Sequence, residues 1–151
     1  MKDLERARHM LAKTPELSCI VCKGEVCYTS EKSGIAPMMD FLDAGYAMEG
    51  SSVADRIVGR AAAMLFVLAG IAFVYAEVMS EGALLFLQAH GVASSFGTLT
   101  PFIVNRRGDG PCPMETAVRD IDDPLQAREA IRKTMKRLKE KGGTDTNEKL
   151  Q

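Results

Sequence analysis

The chain has 151 residues, which suits one domain that buries roughly 70% of its unfolded surface. Its 46% hydrophobic and 26% charged residues are those of an ordinary globular protein, which excludes the fibrous and the largely disordered classes. The net charge of -1 excludes a strong overall attraction to nucleic acid or acidic lipid, so neither nucleic acid nor a membrane is expected as a partner.

Two observations predict a cytoplasmic protein. Residues 1–13 are charged and amphipathic, without the apolar segment of a secretory signal. The longest uncharged run, residues 61–76, contains Gly70 and is shorter than the about 20 apolar residues of a membrane helix. We therefore predict a buried helix, a glycine stop and a buried strand in this run, and free thiols for the four cysteines.

The first elements along the chain are a helix, a hairpin and a second helix. Amphipathic spacing predicts a helix over residues 3–12. Residues 17–22 and 26–30 flank a turn centred on Gly24 and predict a β-hairpin. A short helix is predicted over residues 34–43.

The middle of the chain is more apolar. Helical spacing predicts a long helix over residues 53–68, with Ser51 or Ser52 as its N-cap and Gly70 as its C-cap. Residues 71–79 are nearly all apolar until Glu77, which is typical of a central strand buried on both faces.

The last third alternates helices and short strands. A helix is predicted over residues 81–90, and strands over residues 92–95 and 101–104. A brief helix at Glu115 precedes a final helix over residues 124–141.

This order of elements predicts an α/β domain, a three-layer α/β/α sandwich. Its sheet is expected to be mixed, to have about five strands and to begin with the β-hairpin. Residues 1–141 are predicted to form this single domain, and residues 142–151 a disordered C-terminal tail.

The loop of residues 105–115 is the first candidate site, because backbone-breaking residues and reactive groups alternate in it. Arg106 suits a bidentate contact with a phosphate or carboxylate. Asn105 either satisfies local backbone or binds the amide edge of a ligand. Asp109 lies between glycines, which favours a role in a turn over one in ligand binding.

Cys112 in this loop is the candidate nucleophile. A helix that begins just after it would favour the thiolate through its free amide groups and its dipole, and Arg106 would act in the same direction. Because no histidine is near in sequence, Glu77, Glu81 or Glu115 would have to move the proton, unless the thiolate is already formed. The alternative is a small thiol that fills a tight turn.

Two further clusters lie at predicted helix starts. Free amide groups at a helix start bind anions, and the carboxyl ends of strands are where α/β sheets bind ligands. We therefore predict that three clusters converge on one cleft. The candidate ligand-binding residues of the two further clusters are Ser52, Asp55, Arg56, Gly59 and Ser80. The Cys-x-x-Cys pair, Cys19 and Cys22, is interpreted as structural thiols because no second pair or histidine follows at ligand spacing.

Segments 53–63, 75–81 and 105–115 together resemble an uncharacterised prokaryotic family, a domain of unknown function with a cytidine-deaminase-like fold. The resemblance runs from Leu4 to Leu138 and implies an α/β/α sandwich with a mixed five-stranded sheet. It does not imply deamination, because zinc deaminases need His or Cys at one helix start and Pro-Cys-x-x-Cys at the next. This sequence offers Asp55 at the first start and no cysteine at the second, so neither a metal nor another cofactor is predicted.

Three functions are considered from the sequence. The favoured one is a domain that binds a small anionic or nucleotide-like ligand in one cleft. The alternative is a zinc-independent small-molecule enzyme that uses Cys112 as its nucleophile. A membrane or scaffold protein built on residues 61–76 is a third reading. Whether the protein is an enzyme, and its oligomeric state, are not decided by the sequence.

Overall fold

The computed structural model describes residues 2–105 and 107–142. The predicted disordered tail, apart from Gly142, therefore lies outside the described residues, as does Arg106. The elements in chain order are α1 (Lys2–Lys13), β1 (Cys19–Lys23), β2 (Val26–Ser30), α2 (Ala36–Asp43), β3 (Ser52–Val58), α3 (Arg60–Ala69), β4 (Phe73–Ser80), α4 (Glu81–Ala89), β5 (Ala93–Thr100), α5 (Pro113–Val118) and α6 (Pro124–Gly142).

The five strands form one mixed sheet in the order β2-β1-β3-β4-β5, which confirms the predicted class and strand number. β1 is antiparallel to β2 and to β3, whereas β3, β4 and β5 run parallel. Parallel neighbours need a crossover, and here α3 and α4 supply it. The carboxyl ends of the three parallel strands therefore lie side by side at the same end of the sheet.

Helices cover both faces of the sheet. Successive side chains of a strand point to opposite faces, so each strand contributes to two cores. Ile20 and Ala54 pack against Leu11 of α1 on one face. Val21 and Val53 belong to the larger core on the other face, which also contains residues of α3, α4 and α6. α6 packs against α3 and α5, so the larger face is the thicker side of the molecule.

The predicted long helix over residues 53–68 is wrong. Its first part is the strand β3, and the helix α3 begins only at Arg60. Gly59, not Ser51 or Ser52, precedes the first helical residue, in an extended conformation with φ -99° and ψ -177°. β3 is a central strand between β1 and β4, so its apolar residues do not alternate simply with polar ones, and the spacing from Ile57 to Ala61 mimics a helix.

The two short strands predicted over residues 92–95 and 101–104 are also wrong in their bounds. One strand, β5, spans Ala93–Thr100, and beyond it Val104 only bridges to Pro111. Gly97 does not interrupt β5, although glycine commonly breaks a strand. A Cβ at Gly97 would lie 2.9 Å from the backbone oxygen of Glu77, so the glycine allows β5 to approach β4 closely.

The prediction of four free thiols is wrong for two of them. Cys22 and Cys27 form a disulfide, while Cys19 and Cys112 are free. The two residues lie directly opposite each other in the β1–β2 hairpin, with a Cα–Cα distance of 4.2 Å, slightly below the usual range of about 4.4–6.8 Å for disulfides. Cys22 thus pairs across the hairpin rather than with Cys19.

The uncharged run over residues 61–76 divides as predicted. It contributes α3, which ends at Gly70 with φ 79°, and then the first part of β4. Across residues 2–105 and 107–142, no helix has both the length and the apolar character needed to cross a membrane.

Candidate functional site

A cleft of about 460 Å³ opens beside the carboxyl end of β3. Its walls come from the end of β3, the loop before α2, residues 103–105, the start of α5 and Leu138 of α6. The predicted site residues that line it are Asp55, Arg56, Gly59, Asn105, Cys112 and Glu115. The clusters around Asp55 and Cys112, distant in sequence, therefore share one cleft, whereas the third predicted cluster, at the end of β4, does not line it.

Asp55 is the chemically unusual residue of this cleft. It is only 5% exposed and lies opposite Cys19 in the β1–β3 ladder. Burial raises the pKa of Asp55 to about 7, although hydrogen bonds from the backbone N–H of Arg56 and from the Cys19 thiol oppose this rise. The Arg56 N–H donates to Asp55 Oδ1 over 2.7 Å. A carboxyl group that exchanges its proton near neutral pH in a cleft is typical of functional sites.

The Arg56 side chain leaves the cleft and crosses to the α1 face. Its guanidinium donates to Glu77 Oε2 over 2.6 Å and to the backbone oxygens of Leu17 and Leu11 over 3.1 and 3.0 Å. The last of these contacts satisfies a carbonyl near the C-terminal end of α1. The Arg56 side chain therefore links α1 to the sheet and is not a free cation of the cleft.

Glu77 lies on this same α1 face and does not reach the cleft of Asp55. It lines a separate groove of about 350 Å³ with Tyr75 and with Arg8 of α1, whose guanidinium lies 4.1 Å from the Tyr75 ring centroid. The sequence-based expectation of one shared cleft therefore fails for Glu77. Neighbouring residues of a strand point to opposite faces, which separates Asp55 from the Arg56–Glu77 pair.

Ser80 and Glu81, at the junction of β4 and α4, also lie outside the cleft lining. Ser80 is the N-cap of α4, and its hydroxyl accepts from the Ala83 N–H over 3.0 Å. Glu81 is exposed in the first turn of α4. Ser52 is buried in β3 near its beginning, one strand length from the cleft. The ligand or proton-transfer roles predicted for these residues stay predictions.

Glu115 connects α5 to the start of α3. Its Oε1 and Oε2 accept from the backbone N–H groups of Arg60 and Ala61, each over 2.8 Å. These N–H groups have no partner within the helix, so the carboxylate caps α3 from a distant segment. Gly59 makes this possible, because a Cβ there would lie 2.6 Å from the Glu115 carboxyl carbon.

Cys112 is half-buried at the N-terminal end of α5 and lines the cleft. The expected lowering of its pKa is not found. Burial raises the pKa of Cys112, and the hydrogen bonds from the backbone N–H groups of Glu115 and Met114 only partly oppose this effect. The thiol is therefore the main form of Cys112 at neutral pH, and a reaction at its sulfur needs a base.

Asn105 and Asp109 form two hydrogen bonds with each other across a turn. Asn105 Nδ2 donates to Asp109 Oδ1 over 2.9 Å, and the Asp109 N–H donates to Asn105 Oδ1 over 3.2 Å. Hydrogen bonding from Asn105, and then the charge of Arg107, lower the pKa of exposed Asp109. Asp109 thus has the turn role that its glycine neighbours favoured.

Several residues that line the cleft or support it were not identified from the sequence. Cys19 was interpreted only as one half of a Cys-x-x-Cys pattern, because its contact with Asp55 depends on the pairing of β1 with β3. The apolar part of the wall has no local signal, since its members come from distant segments. They include Ile35, Ile57, Ile103 and Leu138.

The described residues offer no group of three or more His, Cys, Asp or Glu side chains placed to hold a metal ion. The helix starts that follow β3 and β4 read Gly59-Arg60-Ala61 and Ser80-Glu81-Gly82. At the first of these, the Glu115 carboxylate already occupies the free amide groups.

Residues 6–135, which include Asp55, Cys112 and Glu115, match the sequence model of the family described as "TM1506: Domain of unknown function (DUF1893)". The fold is similar to the crystal structure of a DUF1893 family protein, TM1506, from Thermotoga maritima, with a TM-score of 0.77. The two sequences are 29% identical, and the match covers 91% of each chain. No curated protein matches the chain.

Proposed function

The chain belongs to the DUF1893 family, and from this premise we propose that its cleft binds a small, uncharged ligand with a nucleobase-like edge. By such an edge we mean a hydrogen-bond donor and an acceptor side by side on a planar ring. The observation that carries the proposal is the buried Asp55 carboxyl group, whose pKa is raised to about 7 in the wall of the cleft.

The protonation of Asp55 determines the chemistry of recognition. A protonated carboxyl group offers one O–H donor beside one acceptor oxygen, which matches the paired acceptor and donor of an amide-like or amidine-like ring edge. Ile57, Ile103 and Leu138 supply apolar surface for the faces of such a ring. The volume of about 460 Å³ falls in the range of small-molecule sites, which is about 300–1,000 Å³.

The sequence predicts a small anionic or nucleotide-like ligand, and within that class the described lining favours contact with a nucleobase rather than with an anionic group. Arg56 is the basic residue of the described lining, and its guanidinium is engaged by Glu77 and by α1. Arg107 is exposed and forms an ion pair with Asp109 over 3.8 Å. Arg106, the expected anion contact, lies outside the described residues.

We further propose that the domain is a three-layer, deaminase-like sandwich that works without zinc chemistry. The sheet order β2-β1-β3-β4-β5, with an antiparallel hairpin beside three parallel strands, supports this assignment. Zinc deaminases place their ligands at two helix starts. Here the start of α3 is capped by Glu115 and that of α4 by Ser80, which supports binding rather than metal-assisted deamination.

We expect uncharged nucleobases and nucleosides to bind wild-type protein, as measured by isothermal titration calorimetry after a ligand-observed NMR screen. Asp55→Ala should weaken binding by tenfold or more, because it removes both the donor and the acceptor. Above pH 7 the wild-type dissociation constant should rise about tenfold per pH unit, as the protonated fraction falls. Asp55→Asn should bind without this pH dependence, because its amide is neutral throughout.

Asp120→Ala is the matched control, since Asp120 is exposed and is not among the residues that line the cleft. Its affinity and its pH profile should equal those of the wild type. Binding that survives Asp55→Ala unchanged, or a panel in which no compound binds, would contradict the proposed ligand class.

A zinc-independent enzyme with Cys112 as nucleophile is the second candidate, because Asp55 and Cys112 line the same cleft. A carboxylate with a pKa of about 7 is a suitable general base for a thiol whose own pKa is raised. In that role Asp55 would take the thiol proton as the sulfur adds to an unsaturated carbon of the substrate, such as a carbonyl carbon. The π bond of that carbon breaks, and its electron pair moves to the attached oxygen.

Alkylation of Cys112 distinguishes a preformed thiolate from a thiol. We expect slow modification by iodoacetamide at pH 6, slower than that of a small free thiol, because burial disfavours the charged sulfur. Intact mass spectrometry follows the reaction, and Cys112→Ser serves as the control for modification of Cys19. Rapid alkylation at pH 6 would contradict this expectation and would favour the enzyme.

A further inference from the structure

β5 forms one edge of the sheet. Its eight residues pair with β4 on one side, and no strand among the described residues pairs with its other side. The register with β4 keeps a constant offset of 20 residues, from Phe73 opposite Ala93 to Ser80 opposite Thr100. β5 therefore has no bulge, and its outer side presents a regular row of backbone N–H and C=O groups.

This edge lacks the usual protection against pairing with another chain. Proteins commonly protect an edge strand with charged side chains, proline, a bulge or a very short length. Residues 91–104 contain no charged residue, although charged residues make up 26% of the chain, and no proline lies within β5. Large apolar side chains are exposed here, including Phe96, Leu99 and Phe102, the last being 77% exposed.

The opposite edge of the same sheet is different. β2 has five residues, and acidic residues flank it at Glu25 and Glu31. Lys32 follows and forms an ion pair with Asp40 over 2.8 Å. One edge of this sheet thus has charged neighbours and a short strand, whereas the other is long, regular and uncharged.

We propose that β5 is a homodimer interface, at which two copies of this chain pair their β5 strands antiparallel into one ten-stranded sheet. A row of alternating donors and acceptors is complementary to itself when a second copy is turned by a two-fold axis perpendicular to the sheet. Because residues 91–104 carry no charge, the paired segments themselves bring no like charges together.

The two-fold axis restricts which side chains meet. Residues opposite each other in an antiparallel pair lie on the same face, so their numbers must sum to an even value. If the axis lies between the two copies of Phe96, their rings lie beside each other. If it lies between the two copies of Gly97, Phe96 of one copy lies opposite Thr98 of the other. Both arrangements cover apolar surface that is exposed in one copy.

The size of this surface sets the expected strength. A standard interface uses about 20–30 residues from each partner, and smaller ones form weak complexes. β5 and the exposed residues beside it provide fewer than this, so we expect a dissociation constant in the micromolar range. The dimer should therefore depend on concentration.

Sedimentation equilibrium of the full chain over about 5–500 μM tests the interface. Wild-type protein should approach twice 16.4 kDa at the upper end. Thr98→Lys places a charge in the centre of β5 and should keep the protein monomeric over the whole range. The matched control is Thr29→Lys on β2, an exposed threonine on the other edge, which should dimerise as the wild type does.

Hydrogen exchange on the wild-type protein gives a second readout that needs no variant. The outward amide groups of β5 should exchange more slowly at high than at low protein concentration, while those of β2 should not change. The proposal would be overturned if wild-type protein is monomeric at 500 μM, or if Thr98→Lys dimerises as strongly as the wild type. It would also be overturned if hydrogen exchange in β5 does not depend on protein concentration.

Discussion

Replacing Glu115 by alanine is expected to lower the free energy of unfolding by about 3 kcal/mol, because two hydrogen bonds to a charged group are lost. The backbone N–H groups of Arg60 and Ala61 would lose their partner at the start of α3, a helix in the centre of the core. α5 would keep the hydrogen bond from the Arg60 side chain to the Val118 carbonyl but would lose the Glu115 connection to the start of α3. Urea denaturation followed by circular dichroism measures the change.

Gly59→Ala tests the same contact from the other side. The new Cβ would lie 2.6–2.7 Å from the Glu115 carboxylate and would displace it, so we expect a loss of about 2 kcal/mol. In a Glu115→Ala background no carboxylate remains to be displaced, and Gly59→Ala should cost only about 0.5 kcal/mol. The two substitutions should therefore be strongly non-additive in a double-mutant cycle.

Glu81→Ala is the matched control for charge at a helix start. Glu81 also lies in the first turn of a helix, but it is exposed, so only its interaction with the helix dipole is lost. The expected change is about 0.3–1 kcal/mol. Equal losses for Glu81→Ala and Glu115→Ala, or additive losses in the cycle, would contradict the role assigned to Glu115.

The stability of the Asp55→Asn variant relative to the wild type is expected to be higher at pH 8 than at pH 4. The folded-state pKa of Asp55 is about 7, above its ordinary value of 3.8. Between these values the folded protein keeps a proton that the unfolded chain has lost, so the wild type loses stability as the pH rises. The full difference between the two pKa values corresponds to about 4 kcal/mol.

The measured quantity is the difference in unfolding free energy between Asp55→Asn and the wild type at several pH values. It should move in favour of the variant between pH 4 and pH 7 and should be constant above pH 8, because asparagine does not titrate. Asp109→Asn should give the opposite and much smaller trend, since the pKa of Asp109 is lowered and this residue is exposed. If the difference between Asp55→Asn and the wild type does not change with pH, the pKa of Asp55 is the same in the folded and the unfolded protein.

The outer helices and the hairpin could be predicted because their signals are local. α1 and α6 are amphipathic, and a glycine turn separates the two strands of the hairpin. β3 was predicted as helix because a central strand carries a near-continuous apolar run, which periodicity alone does not separate from a buried helix.

This one error also affected the predicted site. In a helix, Asp55 and Arg56 would both lie near the first turn and could bind one ligand. In the strand β3 they point to opposite faces, so Arg56 meets Glu77 and α1 while Asp55 enters the cleft. Assigning β3 as a strand is by itself enough to place the two side chains on opposite faces of the sheet.

The charged and reactive residues of the cleft could be found from sequence because they stand out in loops and at element ends. The environment that changes their chemistry could not. The rise in the Asp55 pKa depends on burial in a central strand of the sheet, and its contact with Cys19 depends on the pairing of β1 with β3. Burial also reverses the expected shift of Cys112, since desolvation outweighs the amide groups of a short helix.

The proposed ligand, the alternative nucleophile and the pH dependence of stability all rest on the proton of Asp55. The most direct test is an NMR titration of the full chain that follows the ¹³C chemical shift of the Asp55 carboxyl, assigned by comparison with Asp55→Asn. The account predicts a midpoint near pH 7. A midpoint near the ordinary value of 3.8 would contradict it, because Asp55 would then be a plain carboxylate at neutral pH.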